Sequence, residues 1–143
     1  MKRRTHSWKI QSPILLKNFE LEKDVELTKL NYLNRLETYL NTKTDYTNIA
    51  APTSVGIEES NILTSVSKIT TLAIERQNLE YTVKDGNILF KDLDRQIDAE
   101  KNVLLETINS TSNIINTQIN LINSKIANSQ AKLSNLPEDQ QEY

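Results

Sequence analysis

The apolar residues in the last third of the chain recur in alternating steps of three and four. This stripe comprises Leu105, Ile108, Ser112, Ile115, Ile119, Ile122, Ile126, Ser129, Leu133 and Leu136, and only the serines are not apolar. Steps of three and four place side chains on one narrow side of an α-helix, and such a side can be buried only against other helices. The pattern therefore predicts a coiled-coil element.

Two shorter segments ahead of this stripe also have a helical period. The first spans about residues 20–41, and the second spans about residues 58–84. A polar stretch with Pro52 and Gly56 lies between them, and residues of this kind interrupt a helix. The first segment carries Leu21, Val25, Leu27, Leu30, Leu33, Leu36 and Leu40; the second carries Ile62, Val66, Ile69, Leu72, Leu79 and Val83.

A third helix is expected at about residues 88–135, after the break at Gly86. Glycine can adopt the left-handed conformation that ends the preceding helix. Neither glycine nor proline occurs again before Pro137, so this helix can extend over about 45 residues, or roughly 70 Å.

The start of the third helix has an apolar register of its own. Leu93, Ile97 and Leu104 are spaced for one helical side, but this side does not continue into the stripe that begins at Leu105. The adjacent pair of leucines therefore predicts a slip of about one residue, which would change the local supercoil or the partner helix.

The composition favours a few long helices over a compact sheet or barrel. The 143 residues include two glycines, three prolines, two phenylalanines and one tryptophan. A sheet or barrel of this size needs many turns and a bulky core. We expect an all-α fold of three helices in antiparallel, coiled-coil-like hairpins, with part of the long third helix projecting beyond the others. Residues 1–19 are expected to be disordered or partly extended, and residues 20–143 to form the helical module.

The charge and the cysteine content of the chain exclude several kinds of binding site. A formal charge of −2 provides no basic field for nucleic acid, and the absence of cysteine excludes disulfides and thiolate metal sites. No stretch approaches the roughly 20 apolar residues that cross a bilayer, and the basic start is not followed by the apolar core of a signal peptide. As written, the chain is expected to be cytoplasmic unless it is part of a longer protein.

Candidate chemistry is sparse. The acidic residues at the start of the third helix are interleaved with basic ones, which predicts a solvated, self-neutralising face rather than a cation site. His6 has no neighbouring residues for metal binding or acid–base work. Phosphate-loop, esterase and zinc-protease motifs are absent. We expect no catalytic, cofactor-binding or metal site, no cofactor and no enzymatic activity. The acidic residues concerned are Asp92, Asp94, Asp98 and Glu100.

The middle of the third helix has an unusual neutral surface. No charged residue occurs between Glu106 and Lys125, where Asn109, Asn113, Asn116, Asn120 and Asn123 recur with serine, threonine and glutamine. Coiled coils usually select their partners with charged residues beside the seam. Two interpretations stay open: a compositional bias toward asparagine, or contact with other helices of an assembly through neutral hydrogen bonds.

The chain resembles the periplasmic helical region of Wzc-type polysaccharide co-polymerases over about residues 15–143. The resemblance is carried by KLNYLNRLETYL, by the loop YTNIAAPTSVGIEESNI, by LEYTVKDGNILFKDLDRQIDAEKNVLLETI and by the closing LSNLPEDQQEY. The loop, the DLDRQI helix and the NLP turn are specific in order and spacing. Where the family often has Asn-Pro after the second helix, this chain has Gly86-Asn87-Ile88.

This resemblance implies a place in polysaccharide export. Members of the family carry a transmembrane helix on each side of the periplasmic region and assemble as rings, and many are fused to a cytoplasmic tyrosine autokinase. The kinase's nucleotide-binding loop, its magnesium-binding acids and its tyrosine cluster are absent from this chain. The resemblance implies a non-catalytic fragment at the periplasmic face of the inner membrane, involved in export or chain-length control of capsular polysaccharide or exopolysaccharide. The implied partners are neighbouring subunits of a ring, an outer-membrane polysaccharide exporter and the glycan, but not nucleic acid.

Two other classes of protein remain open. A cytoplasmic coiled-coil scaffold is compatible with the stripe and would not need the ordered loop motifs. The helical hairpin of a membrane-fusion adaptor would need flanking halves of a lipoyl-like β domain, of which the sequence shows no trace.

Overall fold

The structure is a computed structural model that describes residues 2–135, with side chains from residue 13 onward. The predicted all-α fold with one long helix is confirmed, and no strand occurs within the described residues. The elements are helix α1 (Lys2–Thr42), a short 3-10 helix (Pro52–Val55), helix α2 (Ser60–Glu80) and helix α3 (Ile88–Ser134).

Helix α1 begins well before the expected start near residue 20. The segment expected to be disordered or partly extended, residues 1–19, is instead helical from Lys2, and Met1 lies outside the described residues. Pro13 lies inside the helix. Proline at such a position removes one backbone hydrogen bond and crowds the carbonyl group four residues earlier, so α1 lacks one bond of a regular helix there. The apolar stripe alone did not indicate this extension.

The break between α2 and α3 lies at the predicted place, but Gly86 does not itself end α2. Helix α2 ends at Glu80, a few residues before the expected end near residue 84, and Gly86 has the left-handed φ of 84°. The Asn87 side-chain oxygen accepts a hydrogen bond of 2.9 Å from the Leu89 backbone N–H. Asparagine is a favoured residue at this position because it satisfies an N–H group that the first helical turn leaves without a partner.

The chain divides into two compact units. The terminal unit consists of Met1–Thr28 and Ile115–Tyr143, and the central unit is Lys29–Ile114. The described part of the terminal unit is therefore a pair of helical segments, one from α1 and one from α3.

The core of the central unit draws on all three helices and on the loop after α1. Each of its side chains is fully or almost fully removed from water, and such burial contributes about 1.5–3 kcal/mol for a large aliphatic side chain. The buried apolar residues are Leu33, Leu36, Leu40, Tyr46, Pro52, Ile57, Ile62, Val66, Ile69, Ala73, Phe90, Ile97, Leu104 and Ile108.

The predicted slip at Leu104–Leu105 is wrong. Leu104 is fully buried and Leu105 only partly so, and further along Thr111 is buried where Ser112 was expected. Ile108 fits both the helical side that contains Leu104 and the side that contains Leu105, so the spacing of apolar residues alone cannot distinguish the two sides. The buried side continues without a slip because a threonine, which is not counted as apolar, occupies an interior position.

The terminal unit confirms most of the α3 stripe. Ile115, Ile119, Ile122 and Ser129 are buried, whereas Ile126 and Leu133 are half-buried. Leu136, like the NLP turn and Tyr143, lies outside the described residues.

The α1 side of the terminal unit differs from the prediction. Leu21 and Val25 were expected in the seam, but they are 54% and 52% exposed. Lys23 and Glu26 are less exposed than either, and Phe19 is half-buried with them. The inward side of α1 therefore includes charged residues. The aliphatic stem of Lys23 can cover apolar surface while its ammonium reaches toward water, whereas one carboxylate oxygen of Glu26 is itself buried.

Candidate functional site

Three tyrosine hydroxyl groups fasten the loop after α1 to the structure around it. Each donates a hydrogen bond to a backbone carbonyl oxygen, so each holds one point of an otherwise irregular segment. The pairs are Tyr32 with Ala50 at 2.5 Å, Tyr39 with Asp45, and Tyr46 with Leu40 at 3.1 Å.

The same loop contains its own turn. The Asp45 carboxylate accepts hydrogen bonds from the Thr47 backbone N–H at 3.0 Å and from the Thr47 hydroxyl at 2.7 Å. These bonds, the backbone one foremost, lower the pKa of Asp45. An aspartate that bonds the backbone two residues ahead forms a turn by itself, so this carboxylate has a structural role.

The AAP and GIE motif residues close the loop. Pro52 is buried at the start of the short 3-10 helix, and Gly56 ends that helix with a left-handed φ of 84°. Ile57 follows at once and is 0% exposed. Each motif residue thus has a structural role. The proline starts the turn, the glycine reverses the backbone, and the isoleucine anchors the loop in the core of the central unit.

The pKa of Tyr32 leads to a prediction about stability at high pH. Burial raises this pKa from 10.0 to about 12. A raised folded-state pKa means that the neutral phenol is favoured by folding, so the stabilisation is complete below pH 10 and is lost as the pH rises through 12. Because Tyr32 is only half-buried, solvent screening reduces the full effect, and we expect the free energy of unfolding to fall by on the order of 1–2 kcal/mol over this window. Denaturant melts at pH 9, 10, 11 and 12 measure it.

The control for this effect is the variant Tyr32→Phe, which keeps the ring and removes the titrating group. Its free energy of unfolding should fall less steeply above pH 10 than that of the parent chain. Tyr39, whose pKa is also raised, mainly by burial, stays in both proteins, so the difference between the two curves isolates Tyr32. Identical slopes in the two proteins would show that Tyr32 is equally solvated in the folded and unfolded states.

A polar cleft of about 750 Å³ lies beside this loop in the central unit. The loop forms one wall, and residues of α2 and α3 form the other. Arg76 is its central charged group: it donates to Asp94 at 2.6 Å and to Glu80 at 2.9 Å, and its guanidinium lies 5.1 Å from the centre of the Phe90 ring. Because two carboxylates and an aromatic face already surround this cation, the arrangement holds α2 and α3 together.

The acidic residues considered in the sequence are dispersed. Asp92 lies 3.7 Å from Arg95 and Asp98 lies 3.9 Å from Lys101, each within one helix. Glu100 instead accepts a hydrogen bond of 3.0 Å from the hydroxyl of the buried Ser65 on α2.

These acids do not gather into a cation site. Among the residues that the structure describes, no three histidines, cysteines or acidic residues are grouped so that they could hold a metal ion. The side chain of His6 lies outside the described residues. The contacts from α2 to Asp94 and Glu100 were missed in the sequence, since charge spacing along one helix does not show which residue of a second helix lies opposite.

The asparagines of α3 form an exposed neutral row. All five, from Asn109 to Asn123, are exposed. An amide side chain both donates and accepts hydrogen bonds, so such a row can contact backbone, amide or hydroxyl groups without a charged partner. The exposure is compatible with both interpretations of the asparagine bias.

A shallow apolar groove lies between the two helical segments of the terminal unit. Val25 and Glu26 line it on α1, and Gln118, Leu121 and the buried Ile122 line it on α3. Glu22 lies on the α1 edge and Lys125 on the α3 edge. The Lys125 ammonium also lies 5.8 Å from the centre of the Phe19 ring, which orders the α3 edge.

Comparison of the chain with protein-family models, with curated proteins and with solved structures found no match. No helix among the described residues is both long enough and apolar enough to cross a membrane. The described chain is accordingly a helical module whose prominent features are an anchored loop, a self-neutralised cleft, a neutral asparagine row and an apolar groove.

Proposed function

We propose that this chain is a non-catalytic helical module of a polysaccharide co-polymerase. In this role it contributes to export or chain-length control of a capsular polysaccharide or exopolysaccharide, on the periplasmic face of the inner membrane and as part of a longer protein. The observation that supports the proposal best is the anchored loop. Pro52, Gly56 and Ile57, which belong to the motif that carries the resemblance, have distinct structural roles there.

The chemistry of the described residues fits a structural role. The Arg76 cation is balanced by carboxylates, and the Asp45 carboxylate is used in a turn. A reaction would need a nucleophile or an acid–base group held beside a second functional group. The exposed asparagine row instead offers uncharged hydrogen-bonding groups, which suit contacts with neighbouring subunits, with an exporter or with the hydroxyl groups of a glycan.

A coiled-coil scaffold is the second candidate, and the buried stripe from Ile115 to Ile122 favours it. A scaffold needs the apolar stripe of α3, but its function does not require a loop that three tyrosines hold in place. The helical hairpin of a membrane-fusion adaptor is the third candidate, and the sequence that flanks this chain distinguishes it from the other two.

The coding sequence on both sides of this chain separates the three classes. The proposal predicts a transmembrane segment on each side and, in a fused form, a nucleotide-binding kinase domain after the second one. Halves of a lipoyl-like domain would instead identify an adaptor. Stop codons directly at both ends would contradict the co-polymerase role and favour the scaffold.

A further inference from the structure

The connection between α2 and α3 contains a peptide bond that is prone to chemical rearrangement. Asp85 is the only aspartate in the sequence that is followed by a glycine, and no asparagine is followed by one. An aspartate side chain can react with the backbone nitrogen of the next residue, because ring closure gives a five-membered imide. A side chain on that next residue hinders the reaction, and glycine has none. The sequence therefore distinguishes Asp85–Gly86 from every other aspartate and asparagine position.

The structure leaves the reacting nitrogen accessible. Asp85 and Gly86 are both exposed, and a Cβ atom placed on Gly86 would meet no heavy atom within 4 Å apart from those of its chain neighbours. Within the part of the chain that the structure describes, the Gly86 N–H donates no hydrogen bond, whereas the Asn87 N–H donates to the Lys84 carbonyl oxygen at 3.3 Å. The nucleophilic nitrogen is thus in solvent and is not held by an acceptor.

The other aspartates of the described chain lie in different surroundings. The Asp45 side chain is held in its own turn by Thr47. The remaining ones lie inside helices, where the backbone N–H of the following residue is bonded within the helix. These are Asp24, Asp92, Asp94 and Asp98.

We propose that Asp85 is a modification site at which the folded chain forms isoaspartate. In the first step the Gly86 nitrogen bonds to the side-chain carbonyl carbon of Asp85 and loses its proton, while the protonated carboxyl group loses its hydroxyl, so that one molecule of water leaves. In the second step water opens the imide. Attack at the side-chain carbonyl restores aspartate, whereas attack at the backbone carbonyl leaves the main chain running through the side chain. Water is the only co-reactant, and the product has the composition of the parent chain.

Isoaspartate lengthens the main chain of this turn by one methylene group. The turn is closed by the bond between Lys84 and Asn87, and Gly86 has the positive φ that is typical of the third position of a type II turn. Asn87 also holds the first turn of α3, because its backbone oxygen accepts a hydrogen bond of 3.1 Å from the N–H of the buried Phe90. The modified chain therefore loses the turn that positions the start of α3.

The first test follows isoaspartate in the complete chain during storage in mildly acidic buffer. Chymotryptic peptides are analysed by electron-transfer fragmentation, which distinguishes isoaspartate from aspartate. Isoaspartate is expected in the peptide that contains Asp85, and at least several-fold less of it in the peptides of the helical aspartates. The matched control is Asp85→Glu, which keeps the carboxylate but can close only a larger ring, and it is expected to remove the modification from this peptide.

A parallel sample in denaturant separates the contribution of the fold from that of the dipeptide. Because the Gly86 nitrogen is in solvent in the structure, the folded chain is expected to react within a few-fold of the rate of the unfolded chain. A folded chain that stays unmodified while the unfolded chain accumulates isoaspartate would overturn the proposal. Equal accumulation at Asp45 and at Asp85 in the folded chain would overturn it as well.

Limited proteolysis tests the effect on the turn. The modified chain is separated by ion exchange and compared with the unmodified chain. Cleavage between residues 82 and 89 is expected to be several-fold faster in the modified chain, and cleavage between residues 43 and 51 to be unchanged. Equal cleavage of the two chains at both places would contradict the loss of the turn. None of these outcomes bears on the polysaccharide role, which depends on the flanking coding sequence and on polymer output, so the two proposals fail separately.

Discussion

The variant Ile122→Asp is expected to lose about 3 kcal/mol or more of unfolding free energy, or to lose the pairing of its terminal unit outright. Ile122 is only 7% exposed and lies within the confirmed part of the α3 stripe. A carboxylate at this position would lose most of its hydration inside the seam, and burial of a charge is among the most costly single changes. Thermal and denaturant melts followed by circular dichroism measure the loss.

The matched control is Ile114→Asp on the same helix. Ile114 is 59% exposed, so the new carboxylate stays in water and the expected cost is below about 1 kcal/mol, mostly from the lower helix propensity of aspartate. Equal melting curves for the two variants would mean that Ile122 faces solvent and that the register of α3 described above is wrong.

The helices of this chain could be predicted because their signals are local. Gly86 turns the chain between α2 and α3 through its left-handed φ, and the steps of three and four from Ile115 to Ile122 mark one side of α3. A helix needs only such local signals together with a surface to bury. The fold class therefore followed from spacing and from the positions of helix-breaking residues.

The inward side of α1 could not be predicted in the same way. The prediction assigned Leu21 and Val25 to the seam, whereas the structure places Phe19, Lys23 and Glu26 on the less exposed side. A helix with apolar residues on two sides can bury either side, and the residues of the partner helix decide which side is buried. Long charged side chains add to the ambiguity because their stems can line a seam.

The anchored loop was only partly accessible from the sequence. The hydroxyl groups of Tyr32 and Tyr39 on α1 bond the backbone carbonyl groups of Ala50 and Asp45. The path of the loop determines which carbonyl groups these hydroxyl groups reach, and the spacing of apolar residues does not predict that path. The ion pair between Arg76 and Asp94 was missed for a similar reason, since it joins residues of two helices.

The proposed role of this helical module is to shape the route or the length of an exported polysaccharide. The most direct measurement is the amount and length distribution of surface polysaccharide in cells whose full-length parent protein carries Ile122→Asp. The exposed substitution Ile88→Asp, at a position that is 70% exposed, serves as the control. We expect Ile122→Asp to alter the amount or the length of the polymer and Ile88→Asp to leave both unchanged, while a separately expressed kinase domain keeps its activity. Unaltered polymer in cells where the Ile122→Asp helix is shown to be unfolded would contradict the account and reduce the module to a passive spacer.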